Sequence, residues 1–472
     1  MEKLKGGIEG KQCEFTKYKN KVRCLFAVQS KNTKYCNFHA YLDSDEFVLC
    51  PVDPSHSVKK EKLEKHVKKC NKTKDNAKLE QSEWYKKDIN VVNPLFDLKS
   101  VEEPKRLKTF SQAELDAWYI RIDEVWQTVK DQIIQMVDSD QTEEEKLAAL
   151  GVVDIEEIKE SQEPKEPKEE EKKQEKLELT KTTKHTLQHN KIVDMMDNYG
   201  LLKHRDIKYL EYGAGRGLLS HYLHERLDSK LSEEEKKNHE ENNFEFYLIE
   251  REKIRYLADR HYKEHNNHKR IRVDISHFDI SHIHQEHSLK KSEKEPTKEL
   301  EASEEVKEPN TEPDDGKLFS KYLVDPNIKI VGIAKHLCGG ATDLAIHSLT
   351  QSPLTYGVII ATCCHQRCDE RTYVNIDYLN ELGFKKDYEK SWLFKTTSWA
   401  VSGAYRIDKA AEDDSISKNS LRKTVTGYKA KRILELGRAM ILKKKCNLKV
   451  SLKQYCSKIE SPENMLLIGI RE

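Results

Sequence analysis

The chain has 472 residues, of which 35% are charged and 36% are hydrophobic, and its formal net charge is +1. The mean hydropathy of −0.83 indicates that part of the chain has no packed core. No run of about 18 apolar residues occurs and no signal-peptide pattern is present, so we expect no membrane span and an intracellular protein, in the cytoplasm or nucleus. There, the eleven cysteines stay reduced and need a role other than disulfides.

Two groups of cysteine and histidine residues lie near the start of the chain, in the orders C-x10-C-x11-C-x2-H and C-x5-H-x9-H-x3-C. Four sulfur and nitrogen ligands suit tetrahedral zinc, and a lysine-rich segment this short has little core to fold without metal. We therefore expect two zinc fingers, over 11–40 and 47–72, with two structural zinc ions. The expected ligands are Cys13, Cys24, Cys36 and His39 in the first finger, and Cys50, His56, His66 and Cys70 in the second. Sequence alone leaves open whether the fingers bind RNA or protein.

The next segment combines a helix with a linker. A capping box, Ser111-x-x-Glu114, followed by apolar residues at helical spacing, predicts an amphipathic helix over 110–138. Residues 140–180 contain a run of Glu, Lys and Pro that cannot bury enough apolar surface to fold. This stretch is therefore predicted to be a charged linker.

From 181 to 472 apolar strands alternate with helical patterns, which predicts an α/β domain with a parallel doubly wound sheet. A charged stretch at about 285–318 interrupts the alternation and is expected to be a disordered surface insertion. Strands are expected at 207–212, 244–250, 270–275, 327–334 and 356–363, and helices at 217–227, 252–263 and 342–350.

The segment IKYLEYGAGRG, at 207–217, is the most informative one in the chain. A strand runs into three alternate glycines, Gly213, Gly215 and Gly217, and a helical pattern follows, so backbone can approach a ligand closely. An acidic residue before the glycines, here Glu211, is typical of S-adenosylmethionine enzymes, where the carboxylate faces the cationic methionine end. Dinucleotide sites instead aim the turn at a pyrophosphate. The motif therefore favours a methyl donor over a dinucleotide.

Carboxylates also stand at the ends of the next two predicted strands. Ligands of such sheets bind outside the carboxyl ends of the strands. Glu250 ends the second strand and is expected to accept hydrogen bonds from the ribose hydroxyls of the cofactor. Asp274 ends the third strand, where it is expected to contact the adenine.

The fourth and fifth strand ends are rich in Lys, His and Cys. No Asn/Asp-Pro-Pro-aromatic motif follows the fourth strand, which argues against methylation of an exocyclic amine. A hydroxyl acceptor needs only a base to remove its proton and alignment with the sulfonium. Lys335, His336 and His365 are the candidate bases.

The cysteines at these strand ends support other interpretations. Cys338 and Cys363 resemble the cysteine pair of RNA cytosine-5 methyltransferases, in which a thiolate attacks the pyrimidine, although Leu337 stands where a proline is expected. A purely structural role for small buried residues is another alternative. A further alternative is a metal site formed by Cys338, Cys364, His365 and Cys368.

Together, the two Cys/His orders and the motifs EYGAGRG, KHLCGGATD and ATCCHQRC resemble the eukaryotic tRNA 2′-O-methyltransferases that act on position four of the acceptor stem. The second finger is also similar to the CHHC finger of spliceosomal and related RNA-associated proteins. The resemblance implies a Rossmann-like class I methyltransferase domain that transfers a methyl group from S-adenosylmethionine to the ribose 2′-hydroxyl of nucleotide 4 in the tRNA acceptor stem. It implies no particular base. The alternative class is a non-enzymatic RNA-binding protein with an inactive methyltransferase fold.

A basic segment near the end of the domain is a candidate RNA-binding surface. Residues 421–445 hold nine Lys/Arg residues against one acidic residue, Glu435, with apolar residues at helical spacing. We expect a helix with one face on the sheet and a basic face toward tRNA phosphates. The expected phosphate-binding residues are Arg422, Lys423, Lys429, Lys431, Arg432 and Arg438.

Overall fold

The computed structural model contains two compact units, Met1–Tyr85 and Lys86–Glu472, and each is described by itself. The described residues are 11–17, 22–28, 34–36, 38–43, 45–101, 105–152, 181–204, 206–232, 244–255, 257–265, 267–284, 328–401, 418–457 and 460–471. Most of the predicted linker, from 153 to 180, and the predicted insertion at 285–318 lie outside these residues.

The first unit is organised around cysteines rather than around large apolar side chains. It contains the antiparallel hairpins β1 (Thr16–Lys17) with β2 (Val22–Arg23) and β3 (Phe47–Leu49) with β4 (Ser57–Lys59), then helices α1 (Leu63–Lys69) and α2 (Asn71–Glu80). Cys13, Cys36, Cys50 and Cys70 are buried, whereas Phe26 is exposed. Such a unit has little apolar core to stabilise it by itself.

Two capped helices open the second unit. Helix α3 (Gln112–Met136) begins with the capping box of Ser111 and Glu114 and buries one apolar stripe. Helix α4 (Glu143–Leu150) begins with a second capping box, from Thr142 to Glu145. Its last residue, Leu150, is fully buried, so this first part of the predicted linker is folded.

The second unit contains a seven-stranded sheet. Its strands are β5 (Ile207–Tyr212), β6 (Glu245–Ile249), β7 (His268–Ile271), β8 (Lys329–Cys338), β9 (Thr355–Cys363), β10 (Leu448–Gln454) and β11 (Met465–Arg471). Their spatial order is β10-β11-β9-β8-β5-β6-β7; β5 to β9 run parallel, and β11 is antiparallel to both of its neighbours. The predicted α/β fold is confirmed, with an antiparallel hairpin added at one edge. The order reverses between β5 and β8, and ligands bind at such a switch point.

Helices cover both faces of the sheet. The helices that follow α4 among the described residues are α5 (Lys181–Asn198), α6 (Leu218–Ser229), α7 (Gly340–Thr350), α8 (Ile376–Glu381), α9 (Asp387–Thr396) and α10 (Lys418–Cys446). Apolar residues of α5 and α6 share one core with Tyr209, Phe246 and Ile359 of the sheet. Helices α7 and α10 pack together on the other side, where the Tyr212 hydroxyl donates to Ser348 of α7. No helix in the described part of the chain is long and apolar enough to cross a membrane.

Two predicted elements differ from the structure. The helix predicted at 252–263 is replaced by a 3-10 segment, Ala258–His265, with non-helical dihedrals at Tyr262. The Tyr262 ring stacks on His224 with centroids 3.8 Å apart, and this tertiary packing overrides the local helical pattern. The strand predicted at 270–275 ends at Ile271 because Asp274 accepts a hydrogen bond from the Ser276 amide and starts a 3-10 turn.

Helix α10 carries the basic segment, and the predicted phosphate-binding face is wrong for Lys431, Arg432 and Arg438, because their side chains are buried. All three are also paired within the second unit, as are the part-exposed Arg422 and Lys429, for which phosphate contact stays a prediction. The pairs are Arg422–Asp116, Lys429–Asp123, Lys431–Glu463, Arg432–Glu435 and Arg438–Asp343. Lys423 lies over the Trp399 ring, and it is exposed, as are residues 443–445.

The change Arg438→Leu is expected to destabilise the fold strongly. Arg438 donates to Asp343 over 3.0 and 2.6 Å, and both side chains are at most 1% exposed, so the change leaves a buried carboxylate without its partner. The free energy of unfolding, measured by denaturant titration, should fall by about 3–5 kcal/mol. The matched change Arg422→Leu breaks a half-exposed pair and should cost about 1 kcal/mol or less. Equal losses in the two variants would contradict this assignment.

Candidate active site

The glycine turn links β5 to α6 and has a left-handed backbone at each of its three glycines. The φ angles are +65° at Gly213, +51° at Gly215 and +77° at Gly217. A Cβ atom on Gly213 would lie 2.8 Å from Leu337, and one on Gly217 would lie 2.7 Å from Leu248. At Gly215 the nearest atom would be 4.0 Å away. The outer glycines are therefore required by packing, whereas the middle one borders open space that a ligand can enter.

Side chains from the two neighbouring strands hold the peptide groups of Gly215. Glu250, at the end of β6, accepts a hydrogen bond from the Gly215 amide at 2.9 Å. Arg270, in β7, donates to the Gly215 carbonyl at 2.9 Å and pairs with Asp259 at 2.7 Å. Both polar groups of Gly215, the amide donor and the carbonyl acceptor, are thus held by side chains. Sequence reasoning missed Arg270 and Asp259, because no local pattern marks residues that meet only in the folded sheet.

Glu211 lies beneath the turn, with 5% of its surface exposed. Its carboxylate accepts hydrogen bonds from the amide and the hydroxyl of Ser220, in the first turn of α6. Burial raises the pKa of Glu211 to about 7, while the hydrogen bonds from Ser220 lower it. The predicted contact between Glu211 and the cationic end of a cofactor stays a prediction.

Asp274 lies beyond the end of β7, near the carboxyl end of β6. Its Oδ1 accepts hydrogen bonds from the Ser276 amide at 3.0 Å and from the Ser276 hydroxyl at 2.7 Å. Its Oδ2 lies 3.6 Å from Nη1 of Arg251. The carboxylate of Glu250 therefore stands directly after β6, as the sequence predicted, whereas Asp274 lies three residues beyond the end of β7 rather than at its last residue. Each is held by local donors.

Two candidate bases stand side by side near the end of β8. Lys335 is buried, and its Nζ donates to the His185 carbonyl at 3.1 Å and lies 3.3 Å from Nδ1 of His189. Burial lowers the pKa of Lys335 to about 8. His336 is exposed, and its backbone oxygen would be 3.8 Å from a Cβ atom on Gly213. The end of β8 thus borders the glycine turn directly.

His365, the third candidate, is in a different environment. Its side chain is 1% exposed, and Nε2 lies 3.4 Å from the Glu435 carboxylate of α10. Thr362 and Arg432 donate to that same carboxylate. Burial lowers the pKa of His365, although Glu435 opposes this shift. A substrate hydroxyl has no access to this imidazole in the structure.

The cysteines of the two strand ends separate into two groups. Cys338 and Cys363 are register partners across β8 and β9, and their sulfurs and that of Cys364 lie within 4.8 Å of one another. Cys368 instead lies against the buried pair of Arg438 and Asp343. The metal site considered from Cys338, Cys364, His365 and Cys368 is therefore wrong, because the fold turns His365 and Cys368 toward α10. The pair considered as nucleophiles is brought together.

The first finger brings its four predicted ligands into one cluster. The ligand atoms of Cys13, Cys24, Cys36 and His39 lie within 4.8 Å of one another. The Cys24 and Cys36 sulfurs are 3.8 Å apart, and Nδ1 of His39 is 3.3 Å from the Cys36 sulfur. A zinc–sulfur bond of about 2.3 Å places tetrahedral sulfurs about 3.8 Å apart, so the cluster fits zinc. Phe15 stacks on the His39 ring at 3.8 Å and orients it.

The second finger brings together Cys50, His56, His66 and Cys70. The Nε2 atoms of the two histidines are 2.9 Å apart, and the two sulfurs are 4.0 Å apart. His66 lies in α1 and Cys70 caps its end, so the helix presents both ligands. This donor set also fits a tetrahedral zinc ion.

Comparison with known proteins identifies the family. The model of the family described as Methyltransferase TRM13 matches residues 187–297 and 314–470. The chain belongs to this methyltransferase family. A second model, described as a U11-48K-like CHHC zinc finger, matches residues 47–71, which contain the second cluster. Both findings confirm the resemblance stated from the sequence motifs.

Relatives in several eukaryotes align with nearly the whole chain. A protein of Vanderwaltozyma polyspora named tRNA:m(4)X modification enzyme TRM13 is 25% identical, over 98% of this chain and 98% of its own. Its counterpart in Yarrowia lipolytica is 26% identical, over 97% of this chain and 89% of its own. The human protein named as a TRM13 homolog is 26% identical, over 97% and 94%. The matches therefore extend over both the finger segment and the sheet domain of this chain.

The change Glu211→Gln is expected to alter how stability depends on pH. The pKa of Glu211 is raised from 4.5 to about 7 in the folded protein. Between these two pH values the folded protein therefore keeps a proton on Glu211 that the unfolded chain has already lost. The stabilising effect of this proton is complete below about pH 4.5 and is lost as the pH rises through about 7. The side chain of the glutamine variant is neutral at every pH. As the pH rises from 4.5 to 7, the free energy of unfolding of the parent should therefore fall by about 3 kcal/mol relative to that of the variant.

Urea titrations of both proteins across this pH range measure the difference. The exposed Glu252→Gln is the matched control and should run parallel to the parent protein. If the free energy of unfolding of Glu211→Gln also changed with pH in the same way as that of the parent, the claim that Glu211 is buried and protonated would be contradicted.

Proposed function

We propose that this chain transfers a methyl group from S-adenosylmethionine to the ribose 2′-hydroxyl of nucleotide 4 in the acceptor stem of tRNA. The observation that carries the proposal is the glycine turn, which is clamped at Gly215 and borders open space at the switch point of a methyltransferase-family domain. The relatives are named for tRNA:m(4)X modification, a name that specifies no particular nucleobase. An acceptor that every nucleotide carries, such as the ribose hydroxyl, agrees with that name.

The residues around the turn fit the proposed cofactor. The space beside Gly215 is open, because no atom lies closer than 4.0 Å to the position that a Cβ atom would take there. The carboxylates of Glu250 and Asp274 lie near the ends of the two neighbouring strands. Glu250 would accept hydrogen bonds from ribose hydroxyls, Asp274 would contact the adenine, and Glu211 would lie toward the cationic end. S-adenosylmethionine supplies an electrophilic methyl group when it is bound.

His336 is the proposed base. It is the exposed member of the three candidates, and its backbone borders the glycine turn. Lys335 is buried against α5, and His365 is buried against Glu435, so neither is open to a substrate. His336 would accept the proton of the ribose hydroxyl as the oxygen attacks the methyl group. Desolvation of the imidazole, and secondly the charge of Lys335 beside it, lower the pKa of His336, which favours the neutral form that can accept a proton.

The two fingers are proposed to hold one structural zinc ion each. Their ligand clusters fit tetrahedral zinc, and the family model supports the second of them. None of the eleven cysteines is in a disulfide, which supports the proposed location in a reducing compartment, the cytoplasm or the nucleus. The exposed Phe26 and Phe38 rings, 4.9 Å apart, are a surface on which an RNA base or a protein side chain can stack.

Methyl transfer from labelled S-adenosylmethionine to tRNA, followed by nucleoside analysis, tests the reaction. We expect a 2′-O-methylated nucleoside at position 4, and no transfer by Gly215→Arg, whose side chain would fill the open space. A 5-methylcytidine product would instead support the thiolate route through Cys338 and Cys363. Absence of transfer by the zinc-loaded protein would support the non-enzymatic alternative.

The change His336→Gln tests the base. We expect the rate constant for methyl transfer to fall by about 10²–10⁴-fold, with cofactor binding retained, because the proton acceptor is lost and the turn is untouched. The matched change His365→Gln removes a buried imidazole from the same sheet edge and should lower stability more than the rate of the folded enzyme. Single-turnover rates and calorimetry on both variants separate the effects. A His336→Gln enzyme with the parent rate would rule out this base.

A further inference from the structure

Three cysteine thiols converge at the edge of the sheet where β8 and β9 end. The sulfurs of Cys338, Cys363 and Cys364 lie within 4.8 Å of one another. Cys363 is buried, Cys364 is half-buried and Cys338 is exposed. The cluster is therefore anchored in the fold on one side and open to solvent on the other.

The backbone takes an unusual conformation to bring these thiols together. Successive residues of a strand point to opposite faces, so Cys363 and Cys364 would normally direct their sulfurs apart. Cys364 instead has φ +48°, a left-handed conformation that is rare for residues other than glycine. It turns the second sulfur back toward the first. Strained backbone of this kind is concentrated at ligand sites and active sites.

The neighbouring loop is also fixed to the cluster. The Gly339 amide, next to Cys338, donates to the Cys363 carbonyl at 3.4 Å. Gly339 has φ +62°, and a Cβ atom there would lie 2.5 Å from the Arg367 Cβ atom, so the two loops are in close contact. The approach of Cys338 to the other two thiols is thus built into the fold.

Other cysteines of the domain have simpler surroundings. Cys446 is buried and its thiol lies 3.9 Å from the Leu349 carbonyl, while Cys368 contacts the pair of Arg438 and Asp343. Neither belongs to a group of three potential metal ligands among the described residues. A role as small core residues explains these two, but it does not explain three thiols that meet at a solvent-exposed edge.

We propose that Cys338, Cys363 and Cys364 bind a zinc ion through three thiolates, with the fourth tetrahedral position open to water on the exposed side. Sulfurs on tetrahedral zinc are about 3.8 Å apart, a spacing that falls within the 4.8 Å limit of the cluster, and thiolates are good zinc ligands. Binding releases the thiol protons to solvent and forms three zinc–sulfur bonds. The ion would join the end of β8, which carries His336, to the turn after β9, and would keep the thiols from acting as nucleophiles.

Zinc content of the full chain tests the proposal without reference to methyl transfer. The protein is purified with a reductant and zinc, freed of loose metal by gel filtration, and its zinc per chain is measured by atomic emission. Cys338→Ser is expected to hold one zinc ion fewer than the parent protein. Because Cys338 is exposed, this change should leave the far-ultraviolet circular dichroism unchanged.

Two comparisons make the result decisive. Cys446→Ser, a buried thiol outside the cluster, should keep the full zinc content of the parent. Cobalt reconstitution should give sulfur-to-cobalt charge-transfer absorption that is weaker in Cys338→Ser and in Cys364→Ser than in Cys446→Ser. Equal zinc content and equal cobalt absorption in the parent and Cys338→Ser would overturn the proposal.

Discussion

The candidate site depends on the two hydrogen bonds that fix the amide and the carbonyl of Gly215. Glu250 accepts a hydrogen bond from its amide, Arg270 donates to its carbonyl, and Asp259 pairs with Arg270 and orients it. Since these partners come from β6, β7 and the segment between them, the left-handed turn keeps its shape only when the strands pair in the observed order. The open space beside Gly215 therefore depends on the pairing of β5, β6 and β7, which brings Glu250 and Arg270 to the turn.

Buried charges on α10 fix the other half of the site. Arg438 holds Asp343 in the first turn of α7, directly after β8, and Glu435 accepts a hydrogen bond from Thr362 near the end of β9. These contacts set the positions of the two strand ends that carry His336 and the cysteine cluster. The buried cations of α10 thus serve the packing of these strand ends. Lys423 and residues 443–445 are exposed cations of the same helix.

The parts of the structure that sequence reasoning predicted are those with local signals. The Gly213–Gly215–Gly217 pattern, the Cys/His spacings and the strand periodicity each act within a few residues, and the family comparison agrees with them. The errors concern contacts between distant residues. Arg438 pairs with Asp343, 95 positions away, and His365 faces Glu435, so the burial of these side chains could not be read from the local segment. Tyr262 likewise leaves the helical pattern because it stacks on His224.

Calorimetric titration of the full, zinc-loaded chain with S-adenosylmethionine tests the central claim most directly, with NAD as the matched ligand. The clamped turn beside carboxylates predicts saturable uptake of S-adenosylmethionine at one site per chain and no heat from NAD. Saturable binding of NAD, or no uptake of S-adenosylmethionine with or without tRNA, would contradict the account.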